Sequence, residues 1–390
     1  MRGVVPGGGG GPPGGAAGVN GTDQHRVLIL SGSIGKGHDT VAAACASALE
    51  AAGSQCEIVD CMALLGGLGN RLGEGVMRTL MAIPGAYDAF HFAYLRPGGR
   101  VARGADMAAA RKLLNPIRRI LRERPADVLL SVFATGGAVA HLLLPELPGV
   151  ESVVYCTDAC PHAMWVHART RLFLVTSPMS AAFVRYHRPD AQVSVVPPAV
   201  RPGFYEAPSR EEARQILGVE PEGPVVLLMA GAWGIGPLDR LANVLVRDGV
   251  TVLAVAGANE RLHRKLQGVA AGNPRIRAFG YSEQIPELMS AADVVVTTPG
   301  DTCTEARQLG RPMVLLDTVP GHGRENLELE LARGAATAVP ADPEVVRDAV
   351  RVALKGQIPP ATERPAQREE WARTFLASLA PVGITLPNPS

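Results

Sequence analysis

Short apolar runs alternate along the chain with longer segments in which apolar residues recur every three or four positions. The runs at 27–30 (VLIL), 225–229 (VVLLM) and 294–296 (VVV) are short and apolar throughout, which is typical of buried strands. The segments at 39–53 (DTVAAACASALEAAG) and 238–249 (LDRLANVLVRDG) have helical periodicity. Strands that alternate with helices in this way predict parallel sheets covered on both faces. Because the pattern occurs twice, we predict an α/β fold with two doubly wound, Rossmann-like domains that face each other across a cleft.

A stretch rich in proline and charge separates the two series of strands. We expect a disordered Gly/Pro-rich tail at 1–24, a first domain at 25–200, a linker or hinge at 201–219, a second domain at 220–355, and a closing helix and tail at 356–390. Ligands of such folds bind beyond the carboxyl ends of the strands, so the cleft between the domains is the expected site.

Basic residues are concentrated in the first domain. The net charge of +1 does not favour nucleic-acid binding, yet residues 61–124 hold eleven Arg or Lys against four Asp or Glu. Residues 66–105 interleave Met, Leu, Phe and Tyr with arginines, which suits an anionic membrane surface. The alternative is a set of core helices with a solvated basic face. No run of about 18 uncharged apolar residues occurs, so we expect no bilayer span.

The first candidate for chemistry is SGSIGKGHDT, residues 31–40, directly after a predicted strand. It is not a Walker loop, because that pattern needs glycine at 30 and a hydroxyl residue at 37, where this chain has Leu30 and Gly37. Glycines still let backbone approach a ligand, and a helix N-terminus attracts negative charge. His38 is suited to act as a base, since an imidazole titrates near neutral pH. The alternative is that His38 only caps the following helix.

A second candidate is YCTDACPHAMWVH, where a predicted strand is followed by Asp158, His162, Trp165 and His167. A carboxylate and an imidazole near the cleft can together deprotonate a hydroxyl. Zinc binding is an alternative, but the spacing matches no zinc signature, so we predict no metal. A merely structural loop is the other alternative.

A third candidate is DVVVTTPGDTCTEARQLGRP, in which Pro299-Gly300 turns the chain from a strand into a helix. Thr302 and Thr304 lie around the first turn of that helix, where backbone amides and the helix dipole can hold a diphosphate without magnesium. Glu305 can accept hydrogen bonds from a ribose. The alternative is an ordinary capped helix.

Two further loops contribute to the same predicted cleft. LLMAGAWGIGPLD opens the second domain with a glycine turn that offers more backbone amides. The polar cluster Arg324, Glu325 and Asn326 follows a later strand, where it could bind sugar hydroxyls or form a solvated loop.

These motifs together resemble a known family. SGSIGKGHDTVAAA, TDACPHAMWVH, LLMAGAWGIGP, GANERLHRKL and the block at 279–335 are similar to the monogalactosyldiacylglycerol synthase and processive diacylglycerol glucosyltransferase family. They are more distantly similar to the N-acetylglucosaminyltransferase that completes lipid II. The likeness covers roughly residues 26–355 in the same order, and the block at 279–335 is its most specific part.

The resemblance implies a GT-B fold, a UDP-sugar donor held by the second domain, a lipid acceptor held by the first, and inversion at the anomeric carbon without a bound metal. By position, it assigns His38 and Asp158 to the acceptor hydroxyl, Glu305 to the ribose and the backbone around Tyr281 to uracil. The remaining predicted contacts are Gly35, Gly37, His162, Trp165, Arg324, Glu325 and Asn326 for the substrate, and Gly231, Trp233, Gly234, Gly236, Gly300, Thr302 and Thr304 for the donor.

Two positions depart from the family pattern. The family usually has lysine before the Pro-Gly and a second glycine after it, whereas this chain has Thr298 and Asp301. The carboxylate of Asp301 lies where a phosphate is expected to approach, and it would repel that phosphate unless it faces away or caps the helix.

We therefore predict a hexosyltransferase that uses a UDP-sugar, needs no cofactor and acts on a diacylglycerol-type lipid hydroxyl. Six cysteines without C-x-x-C spacing fit a reducing compartment, and the expected location is cytoplasmic, peripheral on the inner face of the plasma membrane. The alternatives are a soluble UDP-sugar 2-epimerase, a glycosyltransferase for a small molecule, and a UDP-sugar-binding protein without turnover.

Overall fold

The structure, a computed structural model, describes residues 25–32, 37–66, 100–231, 234, 236–318, 321–362 and 365–384, without the side chains of 100–103, 105 and 322. Two six-stranded parallel sheets organise these residues. Helices cover both faces of each sheet. The predicted α/β class with two doubly wound domains is confirmed.

The first domain contains the first sheet. Its strands are β1 (Arg26–Ser31), β2 (Gln55–Asp60), β3 (Val128–Ser131), β4 (Glu151–Cys156), β5 (Leu172–Val175) and β6 (Val193–Val195), in the spatial order β2-β1-β3-β4-β5-β6. Its helices are α1 (Gly37–Ala51), α2 (Cys61–Leu64), α3 (Arg100–Glu123), α4 (Ala134–Leu143) and α5 (Pro178–His187), with a 3₁₀ turn at Leu144–Glu146.

Strand β1 explains why this sheet is recognisable in the sequence. Val27 and Ile29 point into the core shared with α1, whereas Leu28 and Leu30 point into the core shared with α3 and α4. Each of the four is at most 3% exposed. Successive side chains of a strand face opposite sides, so a strand covered on both faces is apolar at every position.

The second domain repeats this plan. Its strands are β7 (Val225–Met229), β8 (Thr251–Val255), β9 (Ile276–Phe279), β10 (Val294–Thr297), β11 (Met313–Leu316) and β12 (Ala336–Val339), in the order β12-β11-β10-β7-β8-β9. Its helices are α6 (Arg210–Leu217), α7 (Leu238–Leu245), α8 (Glu260–Ala271), α9 (Ile285–Ala291), α10 (Asp301–Gln308), α11 (His322–Ala332) and α12 (Pro343–Leu354), with 3₁₀ turns at Pro202–Phe204 and Val246–Asp248.

The segment at 201–219, predicted as a linker, is largely part of the second domain. Helix α6 packs against α9 and buries Ala213 and Leu217 in the core beneath β7 and β10. Val200 and Phe204 belong to the same core. The free connection between the domains is therefore shorter than the sequence predicts, because the second core already begins at Val200.

A last helix, α13 (Arg368–Ser378), followed by a 3₁₀ turn at Ala380–Val382, returns to the first domain. Trp371 and Phe375 of α13 are buried in the core that contains α1 and β1. The Trp371 indole N–H donates to the carbonyl oxygen of Pro197 at 2.9 Å, and the Tyr155 hydroxyl donates to the same oxygen at 3.2 Å. These two hydrogen bonds hold the start of the interdomain connection to the first domain.

Candidate active site

The cleft lies where both sheets reverse their strand order. In the first sheet β1 is flanked by β2 and β3, and in the second β7 is flanked by β8 and β10. Helix α1 follows β1, and helix α10 follows β10. Ligands of open α/β sheets bind outside the carboxyl ends of the strands at such switch points. The first turns of α1 and α10 are thus placed at the expected ligand site.

His38 lies in the first turn of α1 among aromatic side chains. Its ring centroid is 5.5 Å from that of Phe133 and 6.2 Å from that of Trp165. Phe133 follows β3 and Trp165 follows β4, so three neighbouring strands supply the cluster. Nδ1 of His38 is buried and has no hydrogen-bond partner among the described residues. The imidazole is therefore not committed to a structural hydrogen bond through Nδ1.

Asp158 is held by two residues of its own loop. The Trp165 indole N–H donates to Oδ2 of Asp158 at 2.8 Å, and Nε2 of His162 lies 3.7 Å from the same oxygen. The backbone N–H of Met164 donates to Nδ1 of His162, so that nitrogen accepts and Nε2 carries the proton of the neutral ring. Trp165 is 2% exposed. The structure thus joins the predicted residues Asp158, His162 and Trp165, and connects them to His38 through Trp165.

Contacts between the domains bring the predicted residues of both together. Oδ1 of Asn326, in α11, accepts a hydrogen bond from the backbone N–H of Ala159 at 3.3 Å. A β-carbon placed on Gly37 would overlap Oδ2 of Asp301 and would lie 3.2 Å from its Cγ. Any side chain at position 37 would therefore collide with a carboxylate from the other domain.

The first turn of α10 offers backbone donors at the cleft. Gly300 is the N-cap residue, and no side chain there accepts a hydrogen bond from the helix amides. Thr302 is half-buried and Thr304 is buried. Asp301, the first residue of the helix, keeps contact with solvent. Desolvation of the Asp301 carboxyl by the surrounding protein raises its pKa. The neighbouring His38 opposes that rise most strongly.

Glu305 forms an ion pair that the sequence does not reveal. Its Oε1 and Oε2 accept hydrogen bonds from Nε and Nη2 of Arg201 at 2.5 and 2.9 Å, a bidentate arrangement. Glu305 is 5% exposed, whereas the Arg201 side chain is 37% exposed. Burial raises the pKa of the Glu305 carboxyl, and the guanidinium opposes this rise. The guanidinium also lies 5.0 Å from the ring centroid of Phe204, which fixes its position.

Other predicted residues lie around this centre. Tyr281 follows β9 and is 58% exposed, Arg324 is exposed, and Glu325 is buried within α11. Gly35 and Trp233 lie outside the described residues.

The glycine loop after β7 has a backbone that few other residues adopt. Gly231 and Gly234 have φ values of 60° and 56°, in the left-handed region. A β-carbon on Gly234 would overlap the carbonyl oxygen of Ala256, whereas one on Gly231 would meet nothing within 4 Å. Asn259 donates from Nδ2 to the Gly234 carbonyl oxygen at 3.2 Å and so closes the loop.

This difference predicts unequal effects of alanine at the two glycines. Gly231→Ala should lower the free energy of unfolding by about 1 kcal/mol, the cost of a left-handed backbone. Gly234→Ala should cost about 3 kcal/mol, because overpacking adds to the same backbone cost. Urea unfolding of the two variants measures the difference. Equal costs would mean that the loop relaxes away from Ala256.

No protein-family model matches the chain. A processive diacylglycerol beta-glucosyltransferase of Bacillus licheniformis is 30% identical over 195 residues, which is 49% of this chain and 51% of that protein. The chain thus spans about half the length of the first curated relatives that it matches.

Solved structures share the arrangement of the two domains. MurG of Acinetobacter baumannii superposes with a TM-score of 0.54 and 16% identity over 90% of this chain and 98% of its own. UDP-GlcNAc 2-epimerase of Neisseria meningitidis, bound to UDP-GlcNAc, superposes with a TM-score of 0.60 and 12% identity over 91% and 99%.

The two sheets and their arrangement define the fold class of the protein, which is the α/β GT-B fold. Within that class, the similarity to processive diacylglycerol glucosyltransferases, predicted from the motifs, is confirmed. Among the described residues, no helix is both long and apolar enough to cross a bilayer.

Proposed function

We propose that the protein is an inverting glycosyltransferase that moves a hexose from a UDP-sugar to the hydroxyl of a diacylglycerol-type lipid. The observation that carries the proposal is the position of His38. It lies at the start of α1, close enough to influence the Asp301 carboxyl at the start of α10. A base from one domain thus faces an anion-binding helix end from the other. The similarity to diacylglycerol glucosyltransferases supports the same reading.

The second domain is suited to hold the nucleotide. The backbone N–H groups at the start of α10 and the helix dipole favour a diphosphate. Glu305, one turn further, is proposed to meet the ribose hydroxyls, with Arg201 keeping its carboxylate ionised. The positive φ values of Gly231 and Gly234 turn the backbone of the neighbouring loop, which adds a second set of amides. The epimerase of the same fold holds UDP-GlcNAc, which is consistent with a UDP-sugar.

The first domain is proposed to present the acceptor. Its basic segment at 66–105 is suited to an anionic leaflet, although residues 67–99 lie outside the described residues. We place the protein at the cytoplasmic face of the plasma membrane, held by charge and by apolar side chains.

The proposed reaction is a single displacement. Nε2 of His38 takes the proton of the lipid hydroxyl, whose oxygen then attacks the anomeric carbon on the face opposite UDP. The bond between the anomeric carbon and the β-phosphate oxygen breaks, and UDP leaves with the electron pair. Fixed backbone donors stabilise such a developing charge without reorganisation. Inversion at the anomeric carbon follows from this geometry.

A vesicle assay tests the proposal. The full chain is incubated with UDP-glucose, UDP-galactose or UDP-GlcNAc and vesicles of diacylglycerol in phosphatidylcholine, with and without phosphatidylglycerol. We expect a hexosyl-diacylglycerol by mass spectrometry, and more of it with the anionic lipid. Conversion of UDP-GlcNAc without lipid would identify an epimerase instead. UDP release without glycolipid would contradict the lipid acceptor.

A further inference from the structure

The Asp301 carboxylate reaches across the cleft to the turn that carries His38. It overlaps the position that a β-carbon on Gly37 would occupy, so it rests on the backbone of the residue before His38. Asp301 belongs to the second domain and Gly37 to the first. The Asp301 side chain is therefore directed toward the first domain.

We propose that Asp301 is a positioning residue that supplies the counter-charge for His38 when the two domains are closed. This inference rests on the proposed function, because His38 needs a counter-charge only if it takes up a proton. A base that becomes an imidazolium is stabilised by a nearby carboxylate. Here that carboxylate comes from the domain proposed to hold the donor. The acceptor would then be activated only in the closed state.

The other nearby carboxylates are engaged elsewhere. Asp158 accepts from the Trp165 indole at 2.8 Å and lies 3.7 Å from His162. Oδ1 of Asp39 accepts from the Ser31 hydroxyl at 3.2 Å. Asp158 is the partner predicted from the sequence, but its contacts orient it toward its own loop.

The charged groups that face Asp301 come from four parts of the fold. They are His38 from α1, Arg201 from the interdomain connection, Glu330 from α11 and Asp158 from the loop after β4. Of the two basic residues, His38 lowers the pKa of the Asp301 carboxyl more strongly than Arg201 does. Glu330 is already paired with Arg307 and Arg333. Arg201 is likewise paired with Glu305, so His38 is the basic residue that acts chiefly on the Asp301 carboxyl in this part of the cleft.

A titration of the Asp301 carboxyl tests the pairing without any activity. The carboxyl carbon of ¹³C-labelled aspartate is followed by NMR in the full chain and assigned with Asp301→Asn. We expect His38→Gln to raise the pKa of Asp301, because an adjacent cation is lost, and Asp158→Asn to lower it, because an adjacent anion is lost. An unchanged pKa of Asp301 in His38→Gln would overturn the proposal.

A kinetic test asks whether the pairing serves turnover. Asp301→Asn keeps the size of the side chain and should lower kcat about tenfold, the factor given by about 1.4 kcal/mol in the barrier. The acidic limb of the pH–rate profile should move to lower pH, because the amide no longer favours the protonated imidazole. Binding of UDP should stay equal or become tighter, since a nearby negative charge is lost. Asp301→Glu should restore part of the rate.

A matched control is Asp317→Asn, which removes the same charge at the carboxyl end of β11 in the same sheet. It should leave kcat and the pH profile unchanged. If Asp301→Asn behaves like this control, or raises kcat, Asp301 is not a positioning residue. Absence of transfer by the wild type with every UDP-sugar would refute the proposed function, while the NMR titration would still decide the pairing.

Discussion

Replacing His38 with alanine is expected to lower sugar transfer by roughly 10²- to 10⁴-fold, the usual contribution of a general base. The imidazole stands in the first turn of α1 beside Phe133 and Trp165, and its Nδ1 has no partner among the described residues. The loss should fall on kcat, because the base acts on the acceptor hydroxyl. Steady-state rates at saturating donor and lipid measure it, and the affinity for UDP by calorimetry should change little.

A histidine at the other end of strand β1 provides the control. His25 precedes β1, whereas His38 follows it, so His25→Ala changes the same residue type far from the cleft. That variant should keep the wild-type rate. A His38→Ala protein that is folded by circular dichroism and transfers sugar at full rate would remove His38 from the mechanism.

Replacing Arg201 with alanine is expected to have the second largest effect. The change leaves the Glu305 carboxylate, 5% exposed, without its bidentate partner. An uncompensated buried charge costs about 3 kcal/mol, at the lower end of the usual range because the Arg201 side chain is 37% exposed. Urea unfolding should show this loss. Calorimetry should show weaker UDP binding, since Glu305 is proposed to meet the ribose.

Two further variants separate stability from nucleotide binding. Arg201→Met with Glu305→Gln removes both charges, and should restore most of the stability but not the affinity for UDP. Arg247→Ala breaks the ion pair with Glu344, in which both side chains are more than half exposed, and should cost less than about 1 kcal/mol. A double variant that binds UDP normally would show that the pair is only structural.

The fold could be predicted from the sequence because its strands are buried on both faces. Runs such as 27–30 and 294–296 are apolar at every position and are followed by helical periodicity, which few other architectures produce. The location of the candidate site residues could also be predicted, because ligands bind at the carboxyl ends of such strands. The family resemblance assigned residues to those places, and the structure brings several of them together.

Contacts between distant segments could not be predicted. Arg201 and Glu305 are 104 residues apart, and a single arginine before a proline gives no sign of a partner. Asn326 and Ala159 are 167 residues apart, and nothing in the sequence indicates the hydrogen bond between them. The position of α6 in the second core was also missed, because the prolines and charges around it resemble a linker.

The return of α13 to the first domain has a consequence for biosynthesis. The core around β1 and α1 includes Trp371 and Phe375, which leave the ribosome only after the whole second domain. The usual order, in which the earlier domain folds first during translation, therefore cannot be completed in this chain. A nascent first domain keeps an uncovered apolar face throughout the synthesis of the second, and a chaperone that shields such surfaces would find its binding site there.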